Sequence, residues 1–395
     1  MKARWRATRQ GAFVYRTNLT FLFVLVVPIA TASAEVDFTE FVAGTHAQDA
    51  WFKCMADLNG DGRDDLVLGA SFGPQEWFES KPGDTWTKHT MDSQAEGTQS
   101  AGWCGDVDGD GDIDTIIGGT VYFNPGGAAV TGSWPKHILK SGRAYHDTRM
   151  ADFDGDGKTD VAARNEASSG VDIYYQDSTT SWIKVVSDPG FGKNGLETVD
   201  VDGDGKPDIV TPRHWMKNPG SRQGSWPVYS FNSSWNDYAA ITHADINLDG
   251  RRDFLLTSSE DDSEAATWFE NPPNPTSSSQ WTAHSISQEN LDSCHSIWVT
   301  DVDGDGHQDV FTSEFDGPGR VLVYYGNADG SAFTPQVVDD TSIHGGAIGD
   351  YDGDGDIDYF GTKVFGTGPI RVLRNDRSAD DPLDPPEPPA NLGVH

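Results

Sequence analysis

Asp152-Phe153-Asp154-Gly155-Asp156-Gly157-Lys158-Thr159-Asp160 is the stretch on which the fold turns, because its pattern, D-x-[DN]-x-D-G-x-x-D, recurs seven times along the chain. The copies begin at Asp57, Asp106, Asp152, Asp200, Asp245, Asp301 and Asp350, at intervals of 49, 46, 48, 45, 56 and 49 residues. That is the length of one four-stranded blade, and self-similarity at such a period marks repeat architectures. Between the copies, short runs rich in Val, Ile, Tyr, Phe and Trp are punctuated by Gly, Asp, Asn and Pro, the pattern of many short strands joined by tight turns. Helical periodicity is scarce. The expectation is an all-β chain folded as a seven-bladed β-propeller.

Carboxylates at alternate positions of a tight loop converge on one point, and a glycine permits the sharp turn; a hard cation that wants six to eight oxygen ligands is held in this way. The positions expected to ligate calcium are Asp57, Asn59, Asp61 and Asp65 in the first copy, and Asp106, Asp108, Asp110 and Asp114 in the second. They are Asp152, Asp154, Asp156 and Asp160 in the third, and Asp200, Asp202, Asp204 and Asp208 in the fourth. Asp245, Asn247, Asp249 and Asp253 follow, then Asp301, Asp303, Asp305 and Asp309, then Asp350, Asp352, Asp354 and Asp358. The turn glycine is kept throughout, as Gly62, Gly111, Gly157, Gly205, Gly250, Gly306 and Gly355. Simple Asp-Gly turns would not need the last aspartate of the pattern. Up to seven Ca2+ ions are implied, and they change the meaning of the charge. Of 62 acidic residues, 26 stand at these positions, and seven dications would take the formal charge from −34 to about −20.

These motifs resemble the FG-GAP or VCBS repeats of integrin-α-like propellers, over nearly the whole mature chain. In that family the calcium loop joins the innermost strand, A, to strand B. The resemblance implies a strand A just before each motif aspartate, as in Tyr145 to Ala151, and a strand B just after it, as in Val161 to Arg164. It also implies an aromatic strand C, as in Trp77-Phe78-Glu79, Val121-Tyr122-Phe123-Asn124 and Trp268-Phe269-Glu270-Asn271, and a strand D opening on Trp86, Trp134, Trp182, Trp226 or Trp281. The last repeat ends its strand C at Arg371-Val372-Leu373-Arg374 and has no strand D. Phe38-Thr39-Glu40-Phe41-Val42 matches Trp86-Thr87-Lys88-His89-Thr90, so the mature N-terminus is expected to complete blade seven and remove the open sheet edges.

With the calcium loops on one face of such a propeller, the starts of the A strands and the B–C loops ring the mouth of the central channel on the other. A funnel lined by loops is where a ligand site is expected. The residues six before each motif aspartate are Trp51, Ser100, His146, Asn194, Ala239, His295 and His344: three histidines in a chain with 11. Three imidazoles with open positions beside them suit Zn2+ or another divalent ion. Histidine at a strand start also serves simply to bond a neighbouring loop. His89, His137 and His284 belong to an outer Trp-x-x-His strand pattern and are read as structural. On the mouth side, Arg164, Arg213 and Lys363 are candidates to grip a carboxylate or sulfate, and His214, Tyr145 or Tyr238 to move a proton. Arg149 and Glu197 share a register on adjacent blades and are read as a pair. With a metal, the set fits abstraction of a proton α to a carboxylate followed by β-elimination. The Trp268-Phe269-Glu270-Asn271-Pro272 strand and the histidines ahead of the loops also resemble propellers of the aldos-2-ulose dehydratase type, which implies a metal role for His146, His295 and His344.

The N-terminal segment carries Lys2, Arg4, Arg6, Arg9 and Arg16, then an apolar run from Phe21 to Ala30, then Ala32-Ser33-Ala34. It reads as a secretory signal peptide, residues 1–34, with residues 35–378 as the propeller and 379–395 as a Pro-rich tail or linker. The apolar run is short and contains Pro28, so no membrane span is expected, and the mature chain is expected to be secreted or periplasmic and monomeric. So acidic a surface excludes nucleic acid as a partner. Three cysteines allow one internal disulfide. Cys54 and Cys104, three and two residues before their motif aspartates, have the opposite parity that would turn them toward each other; Cys294 is then an odd thiol, either a further metal ligand or a buried residue. Two functions compete. One is a carbohydrate lyase or dehydratase acting on a poly- or oligosaccharide that is uronic-acid-containing or sulfated; the other is a non-catalytic lectin or adhesion module. Propellers host both. The B–C loops differ from blade to blade, which favours one asymmetric site.

Overall fold

Strand B of blade three shows why these sequences build blades. Val161 and Ala163 pack with Val107, Ile116 and Val121 of blade two, while Ala162, between them, packs with Leu196 and Ile209 of blade four. Alternate side chains leave a strand on opposite faces, so a run that is apolar at every position needs a partner on each side. The computed structural model describes residues 35–46, 49–70, 73–95, 102–141, 145–165, 170–187, 193–260, 263–363 and 365–377. Residues 1–34, read from the sequence as a signal peptide, and the Pro-rich residues 379–395 lie outside the described residues. Seven four-stranded antiparallel sheets repeat the arrangement of blade three, in which Asp147–Ala151, Asp160–Asn165, Gly170–Ser178 and Ser181–Ser187 are strands A to D in order. Among the described residues the helices are two single 3-10 turns, Gly127–Ala129 and Pro275–Ser277. The chain is an all-β seven-bladed propeller.

The innermost strands are Ala50–Ala56, Gly102–Gly105, Asp147–Ala151, Glu197–Val199, Ala239–Ala244, Ile297–Thr300 and Gly346–Gly349. They sit close together at the axis. A Cβ at Gly102 would strike the Phe52 ring of blade one, so glycine is needed there. The long interval after Asp245 holds a small extra ribbon, Ser263–Glu264 against Leu291–Asp292. In blade seven, Gly346–Gly349, Asp358–Gly361 and Gly368–Asn375 are joined by Phe38–His46 from the other end of the chain, paired from Phe38 opposite Asn375 to His46 opposite Gly368.

The last aspartate of the motif is the hub of each loop. Asp160 is fully buried; its Oδ2 accepts the N–H of Phe153 in the loop at 3.0 Å and its Oδ1 accepts the N–H of Gln176 at the end of strand C at 2.8 Å. The equivalent two acceptor bonds recur at Asp65, Asp114, Asp208, Asp253, Asp309 and Asp358. The residue at the end of strand C then reaches across to the preceding blade. Asn124, Gln176, Asn218, Asn271 and Asn375 donate a side-chain N–H to the loop carbonyl of Leu58, Val107, Phe153, Val201 and Val302, at 2.8 to 3.1 Å. Five interfaces between blades are stapled in this way, and the other two use substitutes. Blade six has Gly326 at this position, where a Cβ would meet the Gln308 carbonyl; there Trp268 of blade five donates to Gly330 O at 3.2 Å. Blade one has Ser80, and its contact with blade seven runs through Asp64 N to Asp350 O at 2.8 Å and Asp350 N to Asp64 Oδ2 at 3.0 Å. Cys54 and Cys104 form a disulfide that ties the inner strands of blades one and two.

Candidate functional site

Two kinds of site emerge, at opposite ends of the A strands. In the loops, the first aspartate accepts backbone N–H groups from the turn: Asp152 Oδ1 from Gly155 at 2.7 Å and Oδ2 from Gly157 at 2.8 Å. Gly157 has φ of +86°, which only glycine adopts without strain. Ligand-capable oxygens converge in Asp106/Asp108/Asp114, Asp152/Asp154/Asp160, Asp200/Asp202/Asp208 and Asp301/Asp303/Asp309, lying within 4.8 Å of one another in each set. Several loop oxygens are buried with no hydrogen-bond partner: Asp202 Oδ1, Asp301 Oδ1 and Asp303 Oδ2 in these sets, and Asp352 Oδ1 in the seventh loop. Buried unpaired carboxylate oxygens facing like charges call for a cation. Burial pushes the pKa of Asp160, Asp208 and Asp253 up to about 7, and that of Asp358 to about 9. The loops fit divalent ions, and these acidic clusters are able to bind them.

At the other end, the A strands enclose a cavity of about 330 Å³ around the axis. His146 and His295 line it, and with Glu260 they bring ligand-capable atoms within 4.8 Å of one another. His146 Nδ1 lies 3.0 Å from Asp147 Oδ2, which also accepts the N–H of Gly195 at 2.9 Å. Burial works to raise the Asp147 pKa, but His146, Arg149 and Arg164 outweigh it and hold the carboxyl below the usual range. A carboxylate behind an imidazole fixes its tautomer and ring orientation, as metal-binding histidines require. Glu260 is positioned by Asn194, whose Nδ2 donates to Glu260 Oε1 at 3.1 Å. The His344 ring stacks face to face on His295, with centroids 3.8 Å apart. Burial lowers the His295 pKa to about 3 and drives that of His344 well below its ordinary value, so both rings are neutral, the form that binds metal. Beside them Lys53, buried and drawn down to a pKa of about 7 by desolvation, donates to the His344 carbonyl at 2.5 Å.

Three residues before the motif aspartates, a second layer crosses the axis. Trp298 stacks on Trp103 at 6.2 Å, the Arg149 guanidinium lies over Trp103 at 4.2 Å, and Arg149 Nε donates to Glu197 Oε1 at 2.9 Å. Arg149 and Glu197 are thus the pair that their shared register suggests.

The remaining sequence candidates are dispersed. Tyr145 is buried between blades two and three; its hydroxyl donates to Asp172 at 2.7 Å and meets the Tyr174 hydroxyl at 2.5 Å, and burial pushes its pKa far up. It faces away from the cavity. Arg164 is fully buried beside Asp147, its Nε and Nη2 without hydrogen-bond partners among the described residues, and burial lowers its pKa to about 10. Arg213 is ion-paired with Asp237, and burial together with Arg213 and Arg164 takes the His214 pKa down to about 4. Tyr238 packs under the Lys193 ammonium at 5.3 Å. Lys363 is exposed near the mouth. Cys294 lies in the core between blades five and six, its thiol pushed up to about 12 by burial, so the buried-residue reading applies. His89 and His284 stack on Trp77 and Trp268 and pair with Glu79 and Glu270, as structural histidines do. Sequence reasoning left Glu260 out and gave Lys53 no role. The signal for Glu260 was an acidic residue two positions beyond the end of strand B, Asp253–Ser258, on the mouth side.

No helix among the described residues is long and apolar enough to cross a membrane. No curated protein matches the chain by sequence. Among solved structures, BBS1N in complex with ARL6DN is 11% identical, with 88% of this chain covering 100% of that one at a TM-score of 0.54, a likeness of fold. The exotype rhamnogalacturonan lyase YesX is 14% identical over 87% of this chain and 75% of that one, with a TM-score of 0.48. A rhamnogalacturonan lyase of Bacillus licheniformis is 12% identical over 87% and 73%, with a TM-score of 0.47. The FG-GAP-like repeat matches residues 57–117, 106–163, 152–211, 245–312 and 301–361, well over half of the sequence, and the chain belongs to that repeat family.

Proposed function

We propose that the protein is an exported, calcium-braced enzyme that cleaves or dehydrates uronic-acid-containing carbohydrate by β-elimination at the cavity mouth. The observation that carries this reading is the meeting, at one cavity, of a His146/Glu260/His295 set with the buried Lys53 amine. A divalent ion held by His146, Glu260 and His295 would polarise the substrate carboxylate and stabilise the charge that develops on it. Lys53, neutral for a good part of the time near pH 7, accepts the proton α to that carboxylate. The electron pair left behind forms the carbon–carbon double bond as the β carbon–oxygen bond breaks, and the leaving oxygen takes a proton from water. Asp147 keeps His146 oriented and Asn194 keeps Glu260 in place. The disulfide suits an oxidising, extracytoplasmic setting.

A non-catalytic carbohydrate-binding or adhesion module is the second reading, favoured by the exposed Phe365 ring packed against the half-buried Trp51 and Phe315, an aromatic surface that holds a sugar without any catalyst beside it. Metal analysis and ultraviolet absorbance separate the two. The enzyme should carry a divalent metal besides calcium that is lost in His146→Ala/His295→Ala, and should release unsaturated product from a uronic-acid polymer. Lys53→Met should stop product formation while keeping the metal. Wild-type protein with calcium alone and no unsaturated product would refute the enzymatic reading.

A further inference from the structure

The cavity mouth has two unlike walls. On the side of blades three to five stand His146 with Asp147, Asn194 and Glu260, a polar wall of carboxylates, amide and imidazole. On the side of blades six, seven and one, the rings are aromatic. Trp51 and Phe315 both meet the His344 ring edge-on at 5.0 Å, and Phe365 bridges them, 5.5 Å from Trp51 and 6.0 Å from Phe315. Phe365 is 62% exposed, the highest value among the large apolar side chains of the described residues, and a hydrogen bond from Gly366 N to Asp49 Oδ1 at 2.7 Å anchors its loop to blade one. A single exposed apolar side chain is ordinary; what sets Phe365 apart is that it caps an aromatic cluster running from solvent through Trp51 and Phe315 to the stacked His295/His344 pair, which suits one wall of a binding site.

We propose that Trp51, Phe315 and Phe365 form a stacking subsite for the carbon–hydrogen face of a pyranose ring. A pyranose has one apolar face and a rim of hydroxyls that donate and accept, which matches an aromatic wall set against a polar one. The orphaned groups at this level point to the same ligand chemistry. Trp51 Nε1 is a donor and Asn194 Oδ1 an acceptor, each buried without a hydrogen-bond partner, and His344 Nδ1 is a third. A purely apolar ligand would leave all three unsatisfied, at a cost each. At about 330 Å³ the cavity is at the small end of ligand sites, so only the end of a sugar chain enters while the neighbouring ring rests on Phe365. The inference rests on the carbohydrate reading above for the nature of the ligand, but not on elimination taking place.

The test is a titration of the calcium-loaded full chain with oligogalacturonate, read by calorimetry and tryptophan fluorescence, for wild type, Phe365→Ala and Phe365→Tyr. Phe365 is exposed, so both variants should melt with the wild type. Phe365→Ala should weaken binding about tenfold, and Phe365→Tyr, which keeps an aromatic face, should stay within about twofold of the wild type. Metal content should be the same in all three. Unchanged binding in Phe365→Ala, equal losses in both variants, or no binding by the wild type overturns the subsite. Elimination with an unchanged KM in Phe365→Ala sinks the subsite alone. Ring-dependent binding without unsaturated product sinks the elimination reading alone.

Discussion

The staples between blades make a graded prediction. Asn218 is buried and makes three side-chain bonds: Nδ2 donates to Phe153 O of blade three and to Pro207 O, each at 2.9 Å, and Oδ1 accepts Gly220 N at 2.7 Å. Asn271 is equally buried, but Nδ2 donates to Val201 O alone, at 3.0 Å, and Oδ1 has no partner. A typical bond contributes about 1 kcal/mol net, and a buried group left unpaired costs about 1–3 kcal/mol. Asn218→Ala strands two carbonyls and one N–H, so it should destabilise by about 3–4 kcal/mol once partial rehydration is allowed. Asn271→Ala strands one carbonyl and also removes an unpaired oxygen, so its loss should be about 1 kcal/mol. Chemical denaturation followed by tryptophan fluorescence at fixed, saturating calcium measures both. Equal losses, or a larger loss in Asn271→Ala, would refute the idea that these side chains tie blade to blade through the bonds described.

Two further outcomes follow from the loops and the disulfide. In metal-free protein the buried last aspartates have folded pKa values of about 7 to 9, above the ordinary 3.8, so their protonated form favours the fold. Stability should therefore be highest in acid and fall as pH rises from about 4 through 7 and beyond, with calcium abolishing the fall; a metal-free protein that melts higher at neutral pH than in mild acid would contradict this. The Cys54–Cys104 bridge closes a loop spanning 50 positions, so its removal in Cys54→Ala/Cys104→Ala should cost up to about 4 kcal/mol by the loss of unfolded-state restriction. An unchanged melting temperature after reduction, with all three thiols titrating, would show that the bridge does not hold the fold.

What was legible in the sequence depended on how local the physics is. The loops were legible because ligand spacing, turn glycine and last aspartate all lie within nine residues, and the blade length followed from their recurrence. Counting back along strand A found His146, His295 and His344, because strands keep register with the loops that end them. The same counting misplaces Tyr145. It is next to His146, so its side chain leaves the opposite face of the chain and enters the core with Asp172 and Tyr174. Glu260 escaped for a different reason: in blade five, strand B runs from Asp253 to Ser258 and the acid stands two residues beyond it, in a loop whose path belongs to that blade alone. Lys53 was visible as a residue but not as a buried amine, since burial depends on six other blades.

The two ends of the propeller therefore answer to different constraints. At the loop end, each last aspartate satisfies two backbone N–H groups, and in five of the blades the residue whose N–H it accepts also bonds the preceding blade. A change there disturbs a cation loop, a strand end and a neighbour together, so the loop end is held to one pattern seven times over. At the mouth no bond to the preceding blade is kept that widely among the described residues. Trp51, His146, Asn194, His295 and His344 hold the same position in five blades and carry three different chemistries, indole, imidazole and amide. Bracing concentrated at one end is what leaves the other free to assemble a single asymmetric site from unrelated side chains. It also predicts where function is fragile: substitutions at the loops should act through stability in every blade, whereas those at His146, Glu260 or Lys53 should change chemistry with the melting temperature almost unmoved.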